Sequence, residues 1–380
     1  MHLPQLPPSV YVAGLVALAT ALVLVLTKRW HGRFSMDGVH GVQKAHANPT
    51  PRIGGVAIVA GVLAGYLVAR PERQAILGTL LLAGLPAFAF GLAEDVTKKV
   101  SVMARLLATM ASGVLGWWLT GTAITSLDVL GLDWLLHYTV FSVAFTAFAV
   151  GGVANAVNIV DGFNGLASGF VVIALAGVGL LALSAGDLNL ALACWSIAAA
   201  VVGFWLINWP WGKLFLGDGG SYFGGFALAW ACVLLIERNA NITPFAALLV
   251  CIHPVTEVLF SIYRRRLHGS HPGHPDRLHL HSLLARRVVR PMVAEKNLRN
   301  PATGLLLALM SLPSVLAALL VEANAGMAAV LCVVFMLGYV TLYARLVRFK
   351  WCSPITFLLT PPVKVIASKA KQPPTKSLRA

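Results

Sequence analysis

LASGFVVIALAGVGLLALS, residues 166–184, carries no charged side chain. As an α-helix at 1.5 Å per residue it would be about 28 Å long, close to the thickness of a bilayer's hydrocarbon core. The run does not stand alone. Apolar spans of similar length recur at roughly 10–27, 53–69, 75–92, 102–119, 138–157, 188–207, 222–236, 244–262, 303–321 and 326–344. Together they predict an all-α, polytopic integral membrane protein with about 11 transmembrane helices. The span from Tyr222 is short, so a broken or tilted helix is expected there. The apolar but interrupted stretch from Gly121 to His137 is expected to lie on the surface or to extend the next span. Residues 1–345 read as one transmembrane domain and 346–380 as a basic, Pro/Lys-rich tail expected to be disordered.

Composition excludes the competing classes. The 380 residues would suffice for two soluble domains, but 58% are hydrophobic and 11% charged, against about 25% charged in an average soluble protein. A soluble globule, a disordered chain and a secreted disulfide module are therefore set aside. The first apolar run, Val10 to Leu26, has no basic region before it and no convincing small-residue cleavage site after it, so it is read as a retained helix. Cys194, Cys232, Cys251, Cys332 and Cys352 form no C-x-x-C pair and read as small buried hydrophobes.

The net charge of +15 would point to nucleic acid in a soluble protein. Here it reports orientation. With the loop 28–52 on one side of the membrane, all but Arg70, Arg73 and Arg238 of the 29 lysines and arginines fall on that same side. The positive-inside rule makes that side cytoplasmic, with the N-terminus periplasmic and the C-terminus cytoplasmic. The tail is then a membrane-surface segment attracted to anionic lipid, and no nucleic-acid partner is needed.

Five polar clusters are not explained by topology, and all fall on the basic side. Pro49-Thr50-Pro51-Arg52-Ile53-Gly54-Gly55, preceded by Lys44, reads equally as a proline-rich helix start or as a rigid entry presenting Arg52 and backbone N–H groups to a phosphate. Glu94-Asp95, followed by Lys98, Lys99 and Arg105, places two adjacent carboxylates at a membrane-helix end. Adjacent carboxylates repel unless a cation or proton lies near. Asn155, Asn158 and Asp161 recur every three residues and share a helical face that offers the hard oxygen ligands magnesium takes. Gly162 and Gly165 then permit a turn around Asn164. In Gly217-Asp218-Gly219-Gly220-Ser221 one aspartate is bracketed by glycines that allow a backbone to approach closely. The histidine-rich stretch 268–281 ends in Asp276-Arg277-Leu278-His279-Leu280-His281. It has neither a cysteine partner nor the helical histidine pair of a zinc protease, so Asp276, Arg277, His279 and His281 are read as anion-binding groups.

In this order P-T-P-R-x-G-G, N-x-x-N-x-x-D-G, G-D-x-G-S and D-R-x-H-x-H resemble the polyprenyl-phosphate N-acetylhexosamine-1-phosphate transferase family, glycosyltransferase family 4. The likeness runs from about Lys44 to His281. It implies attack of undecaprenyl phosphate on the β-phosphorus of a UDP-N-acetylhexosamine, with UMP leaving, at the cytoplasmic face of a bacterial inner membrane. It implies magnesium, with manganese as an alternative, held by Asp218 and Asn158. It also implies that Asp161 supports the metal site or diphosphate and that Asn155 shapes it. Glu94 and Asp95 fall at the family's acidic pair, which deprotonates or positions the lipid phosphate. Arg105, Arg277, His279 and His281 would bind diphosphate, and Lys44, Arg52, Asn164 and Asp276 complete the substrate-binding candidates. Family analogy adds a homodimer.

This sequence departs from the family pattern in three places. The acidic pair is usually Asp-Asp, Asn164 is an aspartate in many bacterial members, and His46-Ala47-Asn48 lacks a lysine common before P-T-P-R. The chain also lacks the triple histidine of the muramoyl-pentapeptide enzymes. Its D-R-x-H-x-H favours the initiators of O-antigen-like polysaccharides. Two alternatives differ in class. A transporter would place polar residues near the bilayer midplane and on both faces, with internal repeats. An inactive relative would bind lipid without turnover.

Overall fold

A computed structural model describes residues 5–37, 49–267 and 278–348. Lys44, Asp276, Arg277 and the tail from residue 349 lie outside the described residues. Nine helices among the described residues are long and apolar enough to cross a membrane. They are α1 (Pro8–Leu26), α6 (Val102–Thr120), α8 (Thr139–Val160), α9 (Leu166–Ser184), α10 (Leu188–Asn208), α11 (Gly217–Arg238), α12 (Pro244–Leu267), the pair α15 (Lys296–Leu309) with α16 (Leu312–Leu320), and α17 (Ala325–Arg348). A tenth is the bent pair α4 (Pro71–Ala83) and α5 (Leu85–Thr97), which turns by 45° at Gly84. The expected eleventh position is the 14-residue apolar helix α3 (Gly54–Leu67). Short helices α2 (Lys28–Ser35), α7 (Leu132–Leu136), α13 (Leu280–Leu284) and α14 (Arg290–Met292) lie between spans. Two-residue strands β1 (Met36–Asp37) and β2 (Thr50–Pro51) pair antiparallel before α3.

Sequence and structure part at the eighth span. The expected short or broken helix at 222–236 is an unbroken 22-residue helix beginning at Gly217. Glycines lower the hydropathy of its first turns, but they are buried, not solvated: every residue from Gly217 to Leu235 is inside the protein. α11 is thus the central helix, packed against α5, α8 and α9. Phe223, Phe226 and Trp230 are fully enclosed. Gly116 of α6 makes room for the Trp230 ring; a Cβ there would lie 2.7 Å from it. The stretch after α6 turns at Gly121, φ +70°, and packs back on α8, where Ser142 donates to the Ile124 carbonyl and Thr146 accepts from its N–H.

Small residues let backbones meet, as is usual where membrane helices cannot gain from water exclusion. A Cβ on Gly55 of α3 would lie 2.7 Å from Cα of Gly220 on α11, and one on Gly91 of α5 would lie 2.6 Å from the carbonyl carbon of Asp218. The N-terminal turn of α11 is therefore gripped by the start of α3 and the end of α5. Because successive spans run in opposite directions, this grip gathers the starts of α3, α6 and α11 and the ends of α5 and α8 at one end of the bundle.

Backbone atoms at Asp218 cannot yield to a new methyl as a flexible side chain could. Gly91→Ala is expected to destabilise the detergent-solubilised protein by about 1–3 kcal/mol, the usual cost of overpacking. A thermal melt followed by size-exclusion of the soluble fraction checks this, with a midpoint equal to the parent's counting against the grip.

Candidate functional site: a buried carboxylate–guanidinium cluster

The cluster is built on the first turn of α11. Helix N-termini leave N–H groups without intrahelical partners. Here a carboxylate from another helix supplies them: Asp95 of α5 accepts from the Asp218 N–H at 2.8 Å through one oxygen and from the Gly219 N–H at 2.9 Å through the other. Asp95 is 0% exposed. Gly217, at φ +74°, turns the chain so that both N–H groups face it. Each such bond to a charged acceptor contributes about 1.5–3 kcal/mol, and the helix dipole adds in the same sense.

Arg52 bridges the two aspartates. Its Nε donates to Asp95 at 3.1 Å and its Nη2 pairs with Asp218. Arg105, from the first turn of α6, pairs with the other oxygen of Asp218. The Asn158 amide donates to Asp218 at 3.1 Å and to the Ser221 hydroxyl at 2.8 Å. Asp218 is nearly buried, yet its carboxylate is surrounded by donors on three sides. A buried charge with fewer partners would be costly. Tyr222 is an electrostatic neighbour of Asp218, Arg105 and Arg52.

Asp161 follows the last turn of α8 and faces the same charges. Asp161 is half-buried, and desolvation, with Asp218 and Asp95 beside it, raises its carboxyl to about 7 against the pull of Arg52. The cluster therefore brings together Arg52, Asp95, Arg105, Asn158, Asp161 and Asp218 from five separate segments.

Other expected residues go elsewhere. Glu94 stays near enough to act electrostatically on Arg105, but its hydrogen bond is a local one. Neighbours on a helix project about 100° apart, and Glu94 accepts from the Val100 N–H at 2.8 Å, closing the left-handed turn at Lys98. The backbone N–H groups expected to face a phosphate are also taken. Gly54 donates to the Phe215 carbonyl at 2.9 Å, Gly55 to that of Leu216 at 3.0 Å, and Arg52 to that of Ser35 at 2.8 Å. That correction leaves the guanidinium of Arg52, not its backbone, as the group facing the cluster. Asn155 shares a helix face with Asn158, but three residues fan by about 60°. Its amide reaches Thr109 on α6 at 2.9 Å instead of Asp218. Asn164 is held at the far side of its loop, with its N–H donating to Asn300 at 2.8 Å.

His281 reaches the same loop from the other side, with His279 behind it. Their rings stack, centroids 5.2 Å apart, and His281 meets Phe163 edge-on at 5.7 Å. Asn208, Asn300, Glu257 and Tyr339 belong to none of the five sequence clusters, yet they hold this part of the site. Asn208 ties the loop through the Gly165 N–H at 2.6 Å. Glu257 accepts from His279 at 2.8 Å and from the Tyr339 hydroxyl at 2.7 Å. Its signal was available: it is the one acidic side chain in the apolar run of α12, and such residues rarely lack a purpose.

Chemically, the cluster offers oxygen donors and forked cations. Among the described residues no three His, Cys, Asp or Glu side chains form a ready-made cation cage. Magnesium, however, typically takes one or two protein carboxylates together with substrate phosphates and water. Asp218, with the Asn158 amide beside it, fits that use. Arg52 and Arg105 have the fork geometry that phosphate oxygens accept. The opposite end of the bundle differs: there Arg238 pairs with Asp187, Glu237 with Thr125, and Glu322 with Ser184. Those groups fasten loops to one another and do not converge on one point.

Comparison with known proteins agrees with the motifs. The glycosyl transferase family 4 profile matches residues 77–236. An undecaprenyl-phosphate alpha-N-acetylglucosaminyl 1-phosphate transferase of Yersinia pestis is 30% identical over 249 residues, covering 64% of this chain and 68% of the relative. Proteins of the same name from Escherichia coli K12 and Salmonella typhi are 27% and 28% identical, each covering 71% of this chain and 75% of the relative. With a shared signature across the central spans and an identity of 30% over two thirds of a relative, this multi-pass membrane protein belongs to glycosyl transferase family 4.

Proposed function

We propose that this protein transfers an N-acetylhexosamine-1-phosphate group from a UDP-sugar to undecaprenyl phosphate. UMP is released, and the lipid-linked sugar pyrophosphate begins a cell-surface polysaccharide of O-antigen type. The observation that carries the reading is the convergence of Arg52, Asp95, Arg105, Asn158 and Asp218 at one end of the bundle, in a chain whose relatives are named for this transfer. The charge asymmetry of the loops supports a cytoplasmic active site in the bacterial inner membrane.

A phosphate oxygen of the lipid attacks the β-phosphorus of the nucleotide sugar. The bond from that phosphorus to the bridging oxygen breaks, and UMP departs with the electron pair. Such a reaction needs positioning and charge neutralisation more than covalent help. Arg52 and Arg105 bind phosphate oxygens and offset the charge that builds on the departing UMP. Asp95 holds α11 and Arg52 in place. Asp161, in the same electrostatic field, would support the metal site or the diphosphate. Asp218 and Asn158 would hold magnesium, which supplies charge neutralisation to the diphosphate when bound.

A transporter is disfavoured because the charged groups converge at one end and the opposite end is occupied by pairs among its own loops. Purified protein given undecaprenyl phosphate, magnesium and a panel of UDP-N-acetylhexosamines should release UMP. Release should depend on the lipid and stop with EDTA. No release with any sugar, from folded protein, would sink the transferase in favour of an inactive relative. Asp218→Asn should reduce turnover at least 100-fold while the protein stays monodisperse; near-parental turnover would refute the metal assignment. Because Glu94 closes a turn while Asp95 anchors α11, Glu94→Asp should stay within about tenfold of parental activity, the scale of losing one hydrogen bond. Asp95→Ala should be far worse, and initial rates of the two variants in one assay decide the order.

A further inference from the structure

Four buried side chains that the transfer scheme does not use hold the histidine segment in place. Glu257 lies mid-way along the apolar helix α12 and is 2% exposed. One carboxylate oxygen accepts from His279 Nδ1 at 2.8 Å and the other from the Tyr339 hydroxyl at 2.7 Å. The Leu280 N–H also faces both oxygens, at 3.4 and 3.3 Å. Two turns along α12, Arg264 donates to the Leu278 carbonyl at 2.8 Å and to the Tyr343 hydroxyl at 2.7 Å. Tyr339 and Tyr343 are one turn apart on α17, so that helix presents both hydroxyls on one face. Two helices thus clamp the segment at Leu278 and at His279–Leu280.

The geometry also places one ring proton. An ionised carboxylate only accepts, so the His279 contact needs a proton on Nδ1. That fixes Nε2 at the other edge of the ring. The His281 ring then stacks on His279 with planes 15° apart and reaches the turn after α8. A Cβ on Gly162 would lie 3.0 Å from His281 Nε2. A carboxylate in an apolar helix is expensive, and the hydrophobic contacts of Phe260 with Tyr339 and Tyr343 could join α12 to α17 without it.

We propose that Glu257 is a positioning residue that works through His279, setting the stacked imidazoles of His279 and His281 against the Gly162–Phe163 turn to receive the phosphates of the nucleotide sugar. This rests on the transfer reading above. Clamped donors that need no reordering on binding favour the bound state. Partners that orient a metal-ligating histidine commonly matter by about 10- to 100-fold when removed, and the same scale is taken for a carboxylate that orients an anion-binding ring.

The test is a double-mutant cycle with Glu257→Leu and His279→Ala, read as kcat and KM for the nucleotide sugar, with detergent melts of every variant. Glu257→Leu should lower kcat/KM by about 10- to 100-fold, chiefly through KM, in the parent. In the His279→Ala background it should cost less than about threefold, because interacting residues are not additive. Equal losses in both backgrounds, or no loss in the parent, overturn the proposal and leave Glu257 a packing residue. If the leucine variant does not fold, Glu257→Gln takes its place, with the same non-additivity expected at smaller size. A readout independent of turnover is the ¹⁵N histidine spectrum, with the His279 signal assigned by its loss in His279→Ala. Protonation at Nδ1 in the parent, lost in Glu257→Leu, supports the proposal; an Nε2–H tautomer in the parent overturns it. A parent that binds no nucleotide sugar and releases no UMP removes the transfer reading instead, and the spectrum still decides whether Glu257 sets the ring.

Discussion

The bond pair between the Asp95 carboxylate and the first N–H groups of α11 is the constraint on which the site rests. α11 is enclosed by its neighbours, so its first turn cannot obtain water for its N–H groups. A side-chain cap from within α11 would have to come from Leu216, which has nothing to offer. Asp95 answers from α5, and in doing so fixes the distance between two helices that bring other site residues with them. Arg52 then has a place, because one guanidinium can satisfy Asp95 and Asp218 only when both carboxylates are held still. Remove the cap, and the first turn of α11, the orientation of Asp218 and the perch of Arg52 are lost together.

The glycines around this joint follow from it. Gly55, Gly91 and Gly217 are not flexible linkers but points where a Cβ would strike a neighbouring backbone or the Asp95 carboxylate. Close approach allows a short bond between Asp95 and the α11 N-terminus, and it also excludes water, which strengthens each charge interaction. Hydropathy cannot tell this use of glycine from that of a loop, so the apolar span begins at Tyr222 while the helix begins five residues earlier, at Gly217.

Elsewhere the fold and much of the site were legible. Runs such as 166–184 leave one reading, because a long uncharged stretch cannot be solvated. The spacing of Asn158 and Asp161, and the isolation of Asp218 among glycines, marked residues that do converge. What could not be read is direction. Glu94 and Asp95 are adjacent in sequence and take different hydrogen-bond partners, the Val100 N–H and the start of α11; the same 100° step per residue that joins Asn158 to Asp218 turns Asn155 to Thr109. Nor could the sequence show that the N–H groups of Gly54 and Gly55 are bonded to the 215–216 carbonyls, since that pairing spans more than a hundred and fifty residues. Glu257 is a different case: it stands alone in α12 and belongs to no motif, although a lone charge in an apolar helix needs a partner most.

The site also has two walls of different construction. The segment matched by the family profile, residues 77–236, contributes Asp95, Arg105, Asn158 and Asp218, tied by hydrogen bonds and ion pairs to one another, to Arg52 or to the start of α11, with Asp161 in their electrostatic field. The second wall, with His279, His281 and Asn300, comes from beyond that segment and is held by α12 and α17 through Glu257, Arg264, Tyr339 and Tyr343. The walls meet at the 161–165 loop, through His281 against Phe163 and through Asn300 on the Asn164 N–H. Substitutions in the second wall can therefore reshape the side of the site facing that loop while the cap on α11 stays intact. Changes to Asp95 or to the glycines around it cannot be confined in that way, because the same atoms hold three helices and the charged cluster at once.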